Sequence, residues 1–87
     1  VVNPTHVAVA IRYDRDTESA PRILASGRGH VAKNIKRLAR KHRVPIVRNV
    51  RLARALEELD VDTTIPDEFF EPVAELLNYV YSLRQET

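Results

Sequence analysis

The sequence predicts a small single α/β domain, a mixed β-sheet of about four strands packed by helices. Three observations predict it. Residues 7–13 alternate in a short apolar run, two further short apolar runs follow at 22–26 and 44–47, and the segments between and after them carry apolar residues at helical spacing. Eighty-seven residues suffice for one domain with a limited core, so residues 1–87 form one unit.

Val7, Val9, Ile11 and Tyr13 fall on one side of the first run, with Ala8 and Ala10 on the other, as in a strand buried on both faces until Arg12. Val1-Val2 reads as the stub of another strand, supplied by the segment ahead of Asn3. Asp14 to Ser19 is a polar turn, and Arg22 to Ser26 a second strand, ended by Gly27-Arg28-Gly29, where positive φ is cheap. From Val31 to His42, the set Val31, Ile35, Leu38 and Ala39 keeps helical spacing, with Lys33, Lys36, Arg37, Arg40 and Lys41 outside. The basic residues of its last turns suit the helix dipole.

Val44 to Val47 predicts a short strand with Pro45 near its start, where a missing donor is tolerated. Asn49 is placed to cap a helix carrying Leu52, Leu56 and Leu59 on one side. Asp60 to Ile65 reads as a loop and Pro66 to Phe70 as a separate turn. The main C-terminal helix runs from about Glu71 to Leu83, with Pro72 in its first turn. Val73, Leu76, Leu77, Val80 and Tyr81 form its apolar stripe.

Composition excludes several classes. Without cysteine there is no disulfide framework and no thiolate metal site. No apolar run approaches the roughly 18–20 residues of a membrane span, and nothing reads as a signal peptide. The three histidines, His6, His30 and His42, are scattered without metal-ligand spacing, and two glycines make no phosphate-cradling loop. Metal and cofactor sites are therefore not expected. Ser19, Ser26 and Ser82 lack any local nucleophile signature, so no turnover enzyme is expected.

Charge is segregated. Residues 1–54 hold thirteen Lys/Arg against three Asp/Glu; residues 55–87 hold one against nine. Ten basic residues and no acidic one lie between Arg28 and Arg54. The stretch reads first as a solvated helix face lying against the acidic C-terminal third and second as a protein-docking surface. A nucleic-acid footprint comes last because no aromatic residue is interleaved for base stacking, so no nucleic-acid partner is expected.

Asn3-Pro4-Thr5-His6 is the segment with specific chemistry. Proline offers no N–H, so the backbone attack of ordinary asparagine deamidation is closed at Asn3. The reverse attack stays open: the Asn3 side-chain nitrogen attacks its own carbonyl carbon, closes a succinimide and expels the Pro4 nitrogen. This is single-turnover self-cleavage between Asn3 and Pro4. The alternative is that Asn-Pro merely opens a turn. Cyclisation needs orientation of the side chain, and donors near the carbonyl would stabilise the oxyanion. His6 suits either proton transfer or ordering of the turn, and Thr5 reads as a turn-stabilising hydroxyl.

Several landmarks recur in one family's order and spacing: Asn3-Pro4-Thr5-His6-Val7-Ala8-Val9-Ala10, Tyr13-Asp14, Ala20-Pro21, Gly27-Arg28-Gly29, Val44-Pro45-Ile46, Leu52-Ala53-Arg54-Ala55-Leu56, Ile65-Pro66 and Val73-Ala74-Glu75-Leu76-Leu77. Over roughly residues 1 to 84 they resemble the cytoplasmic C-terminal domain of the FlhB/YscU family, the substrate-specificity switch proteins of flagellar and virulence type III secretion. The resemblance implies an autocleaving domain at the cytoplasmic face of the bacterial inner membrane, part of a longer membrane protein. It implies that Asn3, Pro4, Thr5 and His6 form the cleavage site and that the two halves stay together after the cut. The implied partners are the N-terminal membrane domain and pre-cleavage segment of the same precursor, other export-gate components, a length-control regulator and secretion substrates.

Two positions depart from the family's common pattern. Arg51 stands where proline is frequent, and Glu57 where tyrosine is frequent. Tyr13-Asp14 and Ala20-Pro21 are nearer to flagellar members, Arg48-Asn49-Val50 to virulence members. The rivals from other classes are a small basic nucleic-acid-binding domain and a non-cleaving interaction module.

Overall fold

The structure, a computed structural model, describes residues 1–3, 7–14 and 16–85. Strands β1 (Val2–Asn3), β2 (Val7–Arg12) and β3 (Arg22–Arg28) are followed by helices α1 (Gly29–Lys41) and α2 (Val50–Glu57), a 3-10 turn at Asp67–Phe69, and helix α3 (Phe70–Gln85). The strands form one antiparallel sheet in the order β1-β2-β3. The domain is α/β, as the alternating periodicities predict.

Both faces of β2 are covered, which explains its small apolar residues between larger ones. Val7 and Val9 join Ile23, Leu52, Ala53, Leu56, Ile65 and Val73 in the main core on one face. Ala8, with Val2 and Ala32, forms a smaller core on the other, flanked by Ile35 and Ile46. A two-sided apolar strand thus holds α1 on one side and α2 with α3 on the other.

The expected fourth strand at Val44 to Val47 is reduced to one bridge. Val2 pairs with Arg48 in parallel fashion, the Val2 N–H donating to the Val47 carbonyl at 2.9 Å and the Asn49 N–H to the Val2 carbonyl at 3.0 Å. Pro45 has no N–H to donate, and β1 is only two residues long, so nothing extends the ladder. The mixed character of the sheet is confined to this bridge. β1 is supplied by the segment ahead of the Asn3–Pro4 bond, as expected, and the pairing reaches Val1, whose carbonyl accepts from the Val9 N–H at 2.8 Å.

β3 runs two residues beyond its expected end, and the two glycines serve different purposes. A Cβ on Gly27 would stand 2.1 Å from Val31 Cγ1, so a side chain is excluded where the strand meets the helix. Gly29 begins α1 at φ +55°, in the left-handed region that favours glycine. At the other end of α1, Arg43 takes φ 58° and the Val44 N–H donates to the Ala39 carbonyl at 2.8 Å, the six-to-one bond of a Schellman ending.

Asn49 caps α2 as expected, its side-chain oxygen accepting from the Leu52 N–H at 3.0 Å. The polar turn after β2 is closed by the Asp14 carbonyl, which accepts from the Glu18 N–H at 2.8 Å. Among the described residues of α3, Val73 alone is fully buried. Leu76, Leu77, Val80 and Tyr81 are half-buried and border an apolar cavity of about 620 Å³, shared with α1 and residues 44–47. Among the described residues no helix is long and apolar enough to cross a membrane.

Candidate functional site

Asn3 ends β1 and pairs with Val7, the first residue of β2. Val7 pairs on its other side with Arg28, the last residue of β3. Asn3, Val7 and Arg28 therefore stand in one row across the sheet, at the end where α1 begins. Of the expected cleavage residues, Asn3 is placed by this pairing; Pro4, Thr5 and His6 lie outside the described residues.

The strand on the near side of the Asn3–Pro4 bond is held through Val2, whose N–H and carbonyl both bond to the Val47–Asn49 segment. Asn49 is also the N-cap of α2, so one residue anchors β1 and starts the helix. The strand on the far side is held by the β2–β3 ladder. Arg28 extends this hold: its guanidinium makes a bidentate ion pair with the Glu57 carboxylate at the end of α2. Hydrogen bonding from Arg28 keeps the Glu57 carboxyl below the usual carboxylate range, and the same contact raises the Arg28 pKa. Helix α2 thus contacts both sides of the bond at issue, one end through Asn49 and Val2, the other through Glu57 and Arg28.

In the sequence Glu57 stands out only as a departure from the family resemblance. Its partner is 29 positions away and carried no local signal. A second ion pair, Arg12 with Glu18, lies across the turn that follows β2.

The basic stretch divides on folding. Lys33, Arg37, Arg40 and Lys41 are exposed along α1, as expected, but Lys36 is half-buried and lines the cavity. The stripe of α1 is correspondingly shallow: Ala32 is its buried residue, while Val31 and Leu38 are exposed. Arg43, Arg48, Arg51 and Arg54 are also exposed. His30 and His42 are exposed at the two ends of α1.

Residues 1–80 match the model of the FlhB HrpN YscU SpaS family. The chain is 44% identical over 87 residues to flagellar biosynthetic protein FlhB of Bacillus subtilis, covering 99% of this chain and 24% of that protein. It is 42% identical over 80 residues to the protein YlqH of Bacillus subtilis, covering 92% of this chain and 86% of that one. The cytoplasmic domain of FlhB from Shewanella putrefaciens superposes with a TM-score of 0.91 at 41% identity, over 98% of this chain and 66% of that one. The chain spans about a quarter of the length of the flagellar proteins it matches. With its sequence landmarks, its fold and its match all in agreement, the chain belongs to the FlhB/YscU family of type III export proteins.

Proposed function

We propose that this chain is the self-cleaving, substrate-specificity switch domain of a type III export apparatus, acting at the cytoplasmic face of the inner membrane as part of a longer protein. The observation that carries the reading is the placement of Asn3: it ends a strand whose cross-strand partner, Val7, begins the next. The whole connection is then Pro4-Thr5-His6, and the residue able to cyclise is fixed at its start.

In the reaction, the Asn3 Nδ2 forms a bond to the Asn3 carbonyl carbon and the C–N bond to Pro4 breaks. The proton lost by Nδ2 is taken up by the departing Pro4 nitrogen. The products are a C-terminal succinimide and a new proline amine. No water is consumed in this step.

The pairing on either side accounts for retention of both halves. β1 keeps its bonds to β2 and to residues 47–49, and β2 keeps β3, so losing one covalent bond leaves the core in place. What changes is the freedom of the two new ends, which alters the surface offered to export-gate components, a length regulator and secretion substrates. Intact-mass measurement tests this directly: the chain is expected to yield a fragment beginning at Pro4, and Asn3→Ala to abolish it. Continued cutting of Asn3→Ala at the same bond would rule out cyclisation.

A further inference from the structure

The end of the sheet that carries Asn3 is braced from one helix. Val2, one residue ahead of Asn3, is bonded to Val47 and Asn49, and Asn49 caps α2. Val7, the first described residue after the connection, is paired with Arg28, and Arg28 is bound by Glu57 at the far end of α2. Arg28 has little freedom to leave this place. Gly27 before it is pressed against Val31, and Gly29 after it turns the chain into α1.

The Glu57 side chain is mostly covered, 16% exposed, whereas that of Arg28 is 69% exposed. The carboxylate is therefore the more enclosed member of the pair, and the contact links the end of β3, beside Val7, to the end of α2. Two parallel N–H···O bonds give this contact an orientation that a single point charge would not.

We propose that Arg28 and Glu57 are a positioning pair for the Asn3–Pro4 cut, closing α2 as a brace across both strands that flank it. The proposal rests on the self-cleavage reading. Cyclisation depends on how steadily the chain on both sides of the bond is held, and the brace sets that steadiness on the β2 side. Neither residue touches the reacting atoms in the role assigned here; both act through Val7.

The test is the rate of appearance of the Pro4 fragment from the full chain, measured by intact mass, for the parent, Glu57→Gln, Arg28→Gln and the swapped double variant Arg28→Glu/Glu57→Arg. An exposed bidentate pair corresponds to a rate effect of about two- to fivefold. Each single variant is expected to slow by that factor, with a melting temperature lowered by no more than a few degrees, and the swap to recover most of the loss. About 1 M salt is expected to slow the parent toward the single variants and leave those unchanged. Parent rates in the single variants, or a swap as slow as they are, would overturn the pair. A parent that does not cut removes the self-cleavage reading alone. The brace is then judged by amide exchange at Val7 to Val9, expected to quicken about two- to fivefold in either single variant; unchanged exchange would overturn it.

Discussion

The Asn49 N–H donates to the Val2 carbonyl at 3.0 Å while the Asn49 side chain accepts from the Leu52 N–H at 3.0 Å. One residue thereby ties the strand ahead of Asn3 to the first turn of α2. The two bonds come from different atoms and can be separated. Asn49→Ala removes the cap and keeps the backbone donor, and is expected to cost about 1 kcal/mol by denaturant titration. After cleavage, the upstream fragment should dissociate more readily from Asn49→Ala than from the parent. Gel filtration or native mass measurement of the cut species reads this directly; equal retention in both would show that the cap does not support the strand.

His6 has two roles that pH separates. If it orders the connection, His6→Asn, which keeps a donor but does not titrate, retains most of the cleavage rate, and this is the expected outcome. If it moves a proton, the parent rate follows an imidazole titration near roughly 6.5, and that step vanishes in His6→Asn. The Glu57 carboxyl does not confuse the profile. Its folded pKa lies below its unfolded value, so its pairing with Arg28 is present above the ordinary carboxylate range and is lost only as pH falls through the lowered value. A rate step near neutrality that disappears in His6→Asn therefore reports on His6 and not on the brace.

The exposed basic face of α1 is expected to meet protein or solvent. Lys33 and Arg37 lie one turn apart and away from the helix end, so Lys33→Glu with Arg37→Glu should leave folding within about 1 kcal/mol and the cut unaffected. Fluorescence anisotropy with DNA or RNA at about 150 mM salt should show no tight binding by the parent. Tight binding that disappears in the double variant would make this a nucleic-acid surface.

Arg43 holds a left-handed conformation, φ 58°, that costs an L-residue about 1–2 kcal/mol. Its place after α1 is the one glycine favours in this kind of helix ending. Arg43→Gly is expected to stabilise the domain by about 0.5–1 kcal/mol once the greater freedom of glycine in the unfolded chain is allowed for. For a domain of this size that is a rise of a few degrees in melting temperature. A fall would mean that the Arg43 side chain contributes more than its backbone costs.

The sequence alone determined what is written within a turn or two of chain. The alternation from Val7 to Arg12 requires a strand with two covered faces, and the spacing of Leu52 and Leu56 after Asn49 requires a capped helix. Pro72 falls in the first turn of α3 because there its missing N–H costs nothing. The chemistry available at Asn3-Pro4 is also local, since it follows from an amide beside an imide nitrogen. Tertiary structure decided the rest. Val44 to Val47 has strand-like residues, yet pairing needs a neighbour, and the neighbour it meets is two residues long, so only the Val2–Arg48 bridge forms. Lys36 follows the helical pattern of an outer residue but lies where α3 and the 44–47 segment leave a cavity. Arg28 and Glu57 read separately as one cation in a basic run and one acid in an acidic third. Only the β3-to-α1 junction and the direction of α2 bring them together, because contacts across 29 positions depend on how whole elements pack and on nothing in the residues between.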